Sequence, residues 1–271
     1  MKLWDCHTHS VCSFDGVVPL AVMAQAAKDQ GLMGLYVTDH CDFVAPDGSP
    51  CFSFAWEPVE EQLREARSRF GQELFIGKGL ELGEPWEDPA LADSIYHRPG
   101  VDMVLGSCHN MPLALGGTDY YEIHFTDEKS CYDALDVYFA SMEMLSEMDC
   151  FDVLAHVIYP YRYTNHRDGN RATLERYWDL LIRVLRRVMD RGGSLELNTC
   201  RGTTVEDWRQ VLTLYRDLGG TQVTLGSDAH EPRHIGLGLA EGAALLRELG
   251  FPGVTLYHDH KPTLLGWDTI L

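Results

Sequence analysis

Histidines and carboxylates recur in this chain where metal ligands would be needed. Asp5-Cys6-His7-Thr8-His9 comes first, followed by Thr38-Asp39-His40, Gly79-Leu80-Glu81, Ser107-Cys108-His109 and Ala155-His156. Gly226-Ser227-Asp228-Ala229-His230 closes the series. Each group directly follows a short apolar run that reads as a strand. His7 and His9 share one parity, so on a strand their side chains leave the same face. Six of the twelve histidines lie just past a strand in this way, accompanied by Asp15, Glu81 and Asp228. A single histidine at a strand end is ordinarily a satisfied polar residue. Many imidazoles and carboxylates converging on one place are what a site for several divalent cations requires.

Such side chains converge only if the strands that carry them run side by side. Strand signals fall at 2–6, 34–38, 73–81, 102–106, 151–155, 194–198, 222–225 and 254–257. Helical signals fall between them, at 19–30, 58–70, 89–96, 130–148, 173–191, 204–218 and 240–249. Strand and helix in alternation predict an α/β barrel, whose sites form at the C-terminal ends of the strands. Met103-Val104-Leu105 and Val153-Leu154-Ala155 are apolar on both parities, as strands buried on two faces are. An open doubly wound sheet would place a glycine-rich phosphate loop after the first strand. Here that strand ends in histidines, and Gly236-Leu237-Gly238 lacks the third glycine of a dinucleotide fingerprint. Loops at 40–56, 110–127 and 159–171 fall on the mouth side. The expectation is one barrel domain over residues 1–271.

The bulk properties narrow the partners. A hydrophobic share of 45% suits a full core. No apolar run is long enough to cross a bilayer and the start of the chain shows no signal-peptide core, so a cytoplasmic location is expected. A formal net charge of -19 argues against a long nucleic-acid partner, which needs a basic footprint. Eight cysteines without a Cys-x-x-Cys pair read as reduced thiols. Cys6, Cys41, Cys108 and Cys200 stand beside site residues and read as buried fillers, because oxygen and nitrogen ligands already suffice.

Asp5-x-His7-x-His9, Thr38-Asp39-His40, Glu81, His109, His156 and Asp228-x-His230 resemble, in order, the motifs of the PHP family, the polymerase and histidinol phosphatase phosphoesterases. The resemblance covers nearly the whole chain. It implies a distorted (β/α)7 TIM-like barrel with three divalent metal ions: Zn, Mn or Fe. His7, His9, Glu81 and Asp228 would hold one ion, and Glu81 would bridge to a second held by His109 and His156. Asp15, His40 and His230 would hold the third, with Asp15 standing where many family members have histidine. Asp228, His230 and Glu81 would then be catalytic as well as ligating. Asp5 and Asp39 would orient imidazoles, and Asp42 would either touch substrate or cap the loop, the second being the preferred reading.

Within the family the chain is most similar to the histidinol-phosphate phosphatases, in length and in Glu196-Leu197-Asn198-Thr199. Arg162 and Arg201 would grip the substrate phosphate, since a planar guanidinium fork matches two phosphate oxygens. The implied activity is metal-dependent hydrolysis of a small phosphomonoester, L-histidinol phosphate, in histidine biosynthesis. An acidic pocket built from the two long loops would suit its ammonium and imidazole. Two alternatives stand beside this reading. A phosphodiesterase or nucleotidase would need an open mouth with base-stacking aromatics, for which Phe52, Phe54, Trp56, Trp86, Tyr120 and Tyr121 are candidates. A non-catalytic metal-binding module would be expected to have lost ligands, whereas all nine positions here are competent.

Overall fold

Apolar runs become parallel strands and amphipathic segments become the helices between them in the computed structural model, which describes residues 2–270. In chain order the elements are β1 (Trp4–Thr8), α1 (Leu20–Asp29), β2 (Gly34–Val37), β3 (His40–Asp42), α2 (Trp56–Phe70), β4 (Phe75–Gly83), α3 (Pro89–Tyr96), β5 (Met103–Ser107), α4 (Glu128–Ser146), β6 (Val153–Leu154), α5 (Trp178–Asp190), β7 (Ser194–Asn198), α6 (Arg209–Asp217), β8 (Val223–Gly226), α7 (Leu239–Glu248), β9 (Gly253–His258), β10 (Lys261–Gly266) and α8 (Trp267–Ile270). Pairing runs β1-β2-β4-β5-β6-β7-β8, every pair parallel. The ring closes through a parallel bridge between Thr8 and Ala229, where Asp228 N donates to His7 O and His9 N to Ala229 O, both at 2.9 Å. This is the seven-stranded barrel that the motif order implies.

The helices pack on the outside of the strands. On α5, Leu181, Val184, Leu185 and Val188 are buried at spacing i, i+3, i+4, i+7, one stripe of an amphipathic helix. Helix α4 starts two residues earlier than its apolar periodicity suggests, because Asp127 and Ser130 close a reciprocal capping box. Inside the barrel, Cys6, Tyr36, Met103, Leu105, Val153 and Ala155 fill the lower half around Tyr257.

Tyr257 comes from β9, which is not the barrel strand expected at 254–257. It pairs antiparallel with β10 as a hairpin beneath the barrel. The hairpin escapes sequence reading because its turn residues, Asp259 and His260, take left-handed φ of 49° and 61° without the usual Asn-Gly signal. The Tyr36 hydroxyl donates to Tyr257 O at 2.7 Å, and the Tyr257 hydroxyl lies 2.7 Å from Ser194 Oγ. The floor is therefore closed, and the opposite end is the mouth. Strand β3 also lies inside an expected loop, paired with β4 in the register His40↔Glu81.

Candidate metal centre

The strands deliver their C-terminal residues into the mouth in three groups. His7 Nε2 lies 3.0 Å from Glu81 Oε2 and 3.1 Å from His9 Nε2. Asp228 Oδ1 stands 3.7 Å from His7 Nε2 and 3.4 Å from His9 Nε2. The other Glu81 oxygen, Oε1, lies 3.0 Å from His109 Nε2 and 2.6 Å from His156 Nε2, and these nitrogens are 3.3 Å apart. Asp15 reaches in from the loop after β1, 3.0 Å from His230 Nε2 and 3.6 Å from His40 Nε2. The rings of His40 and His230 stack on that of His9 at 4.4 and 3.9 Å. All nine sequence-derived ligand positions thus meet in one cluster.

These residues fit divalent cations. Four donors around one ion at 2.0–2.1 Å stand about 3.3–3.5 Å apart, close to the spacings of the first group. The Nδ1 partners fix the tautomers: His7 donates to Glu196 Oε1 at 2.7 Å, His9 to Ser13 Oγ at 3.0 Å, His109 to Asp42 Oδ2 at 3.1 Å and His230 to Asp228 O at 3.0 Å. In the neutral form of each of these imidazoles the Nε2 lone pair faces the cluster, the arrangement that outer partners impose on ligating histidines. His230 Nε2 is buried and, although Asp15 stands 3.0 Å away, makes no hydrogen bond. Cysteine appears in none of the clustered donor groups among the described residues.

Charge balance follows from burial. Burial pushes the His9 pKa down to about 3, helped by His230 and His40, so this imidazole is neutral and ligand-competent. Burial opposes charge on His40 as well, but Asp42 and Glu81 outweigh it and raise its pKa to about 9. His7 and His109 are likewise held well above the ordinary value, because Glu81 and a second carboxylate overcome their desolvation. Burial penalises the Glu81 and Asp228 anions. His7 and His109 overcome this for Glu81, and Arg162 and His7 for Asp228, so both carboxyls titrate well below the ordinary range.

The braces differ from expectation. Asp5 and Asp39 touch no imidazole ring directly. Asp5 accepts from Ser227 N at 2.9 Å and Gly236 N at 2.9 Å, holding the turn that carries Asp228. Asp39 accepts from Ser10 N at 2.6 Å and from the Ser13 hydroxyl at 2.9 Å, and so reaches His9 through Ser13. Asp42 is no loop cap: it stands 3.3 Å from His40 Nδ1 and 3.1 Å from His109 Nδ1. Its place two residues after His40 on one strand was the available signal.

Glu196 was noted only as part of a motif. It backs His7 through one oxygen and accepts from His156 N at 2.8 Å through the other. Glu196 and Asn198 alternate with Leu195 and Leu197 on β7, so an acid and an amide share one face of a buried strand. Glu84 was missed. It sits at φ 51° just past β4, accepts from His109 N at 2.7 Å and Asn110 N at 3.0 Å, and is pushed up to about 8 by burial and by Asp42.

Backbone geometry is specialised here. Asp228 holds φ 59°, a left-handed conformation that costs about 1–2 kcal/mol for a non-glycine residue. Gly226 admits no side chain: a Cβ would lie 2.4 Å from Glu196 Oε1 and 2.5 Å from His7 Cβ.

Above the cluster lies a cavity of about 430 Å³, lined among others by Phe14, Asp119, Tyr121, Arg162, Arg201 and Glu231. Arg162 packs its guanidinium over the Tyr159 ring at 5.0 Å, with Nη1 2.7 Å from Asp228 Oδ2 and Nη2 donating to Asn198 Oδ1 at 2.8 Å. Arg201 is exposed on the rim, where Cys200, Arg201 and Gly202 take three successive left-handed φ values of 43°, 57° and 84°. Among the six aromatics proposed for base stacking, Tyr121 alone lines this cavity; Tyr120 is fully buried. His124 and His166, on the mouth-side loops, do not line it.

A parallel seven-stranded barrel with a histidine- and carboxylate-built centre at its C-terminal mouth defines a metal-centred α/β-barrel protein. The PHP domain model matches residues 5–200, and the chain belongs to that family. It is 29% identical over 241 residues to a Clostridium acetobutylicum protein named "Probable histidinol-phosphatase", spanning 87% of this chain and 89% of the relative. A Lactococcus lactis protein named "Histidinol-phosphatase" is 23% identical, with 96% of each chain covered. The crystal structure of histidinol phosphate phosphatase from Lactococcus lactis, complexed with zinc, L-histidinol and phosphate, superposes with a TM-score of 0.81 at 22% identity, covering 97% of this chain and 99% of that one.

Proposed function

We infer that the protein is a metal-dependent phosphomonoesterase and that its substrate is L-histidinol phosphate. The observation that carries the reading is the Glu81 carboxylate, whose Oε1 faces His109 and His156 and whose Oε2 faces His7, His9 and His40, beneath an arginine-bearing cavity of small-molecule size. The names of the relatives, at coverage of nearly the whole chain, support the choice of substrate.

His7, His9, Glu81 and Asp228 would hold one cation, Glu81, His109 and His156 a second, and Asp15, His40 and His230 a third. Bound there, divalent cations neutralise phosphate charge and lower the pKa of water for attack on phosphorus. Arg162, steadied by Tyr159 and Asn198, orients the phosphoryl group, and Arg201 reaches it from the rim. Asp119, Glu122 and Glu231 line the same cavity and suit a cationic leaving group, with Phe14 and Tyr121 beside them for its ring. Glu196, Asp42 and Ser13 keep protons on Nδ1, so that Nε2 stays basic.

The test is competition between L-histidinol phosphate and a dinucleotide at equal concentration. Preference for the monoester is expected. Faster cleavage of the dinucleotide would transfer the assignment to a phosphodiesterase, and preference for another small monoester would keep the chemistry and remove the substrate and its pathway.

A further inference from the structure

The two long mouth-side loops are ordered, and they touch. The loop after β3 folds back on itself through a Val44–Pro50 bridge, with Ala45 N donating to Ser49 O at 2.8 Å. The loop after β5 does the same through an Asn110–Asp119 bridge, with Met111 N donating to Thr118 O at 2.9 Å. They meet at two glycines with left-handed φ, Gly48 at +81° and Gly117 at +63°. A Cβ on Gly117 would stand 2.4 Å from Gly48 O and 3.0 Å from Val44 Cγ1. A Cβ on Gly48 would stand 2.8 Å from Gly116 O. Only hydrogen fits between these backbones.

One amide spans both loops: Asn110 Nδ2 donates to Gly117 O at 2.8 Å and to Ala45 O at 3.4 Å. Asn110 is buried next to His109, and its own N–H is held by Glu84. Beyond the contact each loop sends residues to the cavity: Pro46 from the first, and Asp119, Tyr121 and Glu122 from the second.

We propose that Gly48 and Gly117 form a specificity-determining clasp, a backbone-to-backbone contact that locks the two loops into one wall and confines the cavity to small cationic alcohols as leaving groups. This rests on the phosphomonoesterase reading. A methyl at Gly117 forces Gly48 O back by about 1 Å to reach ordinary contact. The loops then part, and the acidic face built by Asp119 and Glu122 loses its register with Pro46. The proposed cation ligands stand on strands or just past their ends, with Asp15 on the loop after β1, all outside 44–50 and 110–120, and keep their positions.

The variants are Gly117→Ala and Gly48→Ala, with Gly116→Ala as control. Gly116 has φ +100° but nothing within 4 Å of a Cβ, so it carries backbone strain without the collision. Hydrogen exchange is followed over 44–50 and 110–120, together with metal content and kcat/KM for L-histidinol phosphate and for naphthyl phosphate. Both clasp variants should exchange at least tenfold faster there than the control and hold wild-type metal. Their preference for L-histidinol phosphate over the bulky ester should fall at least tenfold. Exchange equal to the control, or an equal loss on both esters, overturns the clasp. If Gly117→Ala does not fold, Gly48→Ala, approaching from the opposite loop at 2.8 Å, decides alone. If the wild-type protein cleaves neither ester, the function is wrong, and the exchange comparison still tests the clasp.

Discussion

Replacing Glu196 by glutamine probes the brace behind the first ligand group. Both oxygens are engaged and buried: Oε1 by His7 Nδ1 at 2.7 Å and Oε2 by His156 N at 2.8 Å. Glutamine offers one oxygen and one NH2, so either the imidazole N–H or the backbone N–H must face a donor. One buried unsatisfied donor costs about 1–3 kcal/mol of stability. Losing the carboxylate behind a ligating histidine lowers metal affinity about 10–100-fold, or about 1.4–2.8 kcal/mol. Zinc titration of metal-free protein against a competing chelator, with melting in the same buffer, reads both quantities. A lower Tm and an affinity loss in that range are expected. Unchanged affinity with a lower Tm would make Glu196 a support for the β6 turn alone, and would refute its role as the brace of His7.

Other outcomes follow from the same geometry. Glu81→Gln should lose cations and nearly all turnover while the fold persists, read by elemental analysis and circular dichroism. Arg162→Ala should lower kcat/KM by about 2–5 kcal/mol of transition-state binding, the range for truncating a buried charge-paired group, with metal content retained. Arg201→Ala, on an exposed rim residue, should cost less; equal losses would contradict the burial difference. For pH, the folded pKa of His40 in the metal-free protein is raised from 6.5 to about 9. Its stabilising contribution is therefore complete below 6.5 and lost as pH rises through about 9. The same protonation opposes cations, so zinc binding should release protons at neutral pH and tighten towards pH 9, as calorimetry in buffers of different ionisation enthalpy would show.

The barrel was legible because strand-end chemistry repeats in a fixed setting: an apolar run, then a histidine or acid. Period-two spacing in His7-x-His9 and His40-x-Asp42 put side chains on one face, and the second of these was under-read because His40 looked like the start of a loop. The β9–β10 hairpin was hidden because Asp259 and His260 make its left-handed turn without the Asn-Gly signature, with their N–H groups directed to Asp102 on a remote segment. Glu84 was hidden because the donors its carboxylate meets, His109 N and Asn110 N, are remote in sequence. Arg162 could be placed at the mouth from its position after His156, but its pairing with Asp228 could not, because that contact depends on two strands closing the ring.

The most direct test is cation count and turnover on one sample. Protein purified without chelator is assayed for metal and for phosphate release from L-histidinol phosphate, then stripped and reconstituted stepwise. More than two ions per chain are expected, with turnover lost on stripping and restored as the second and third ions bind. Full turnover with one ion or none, unchanged by reconstitution, would contradict it.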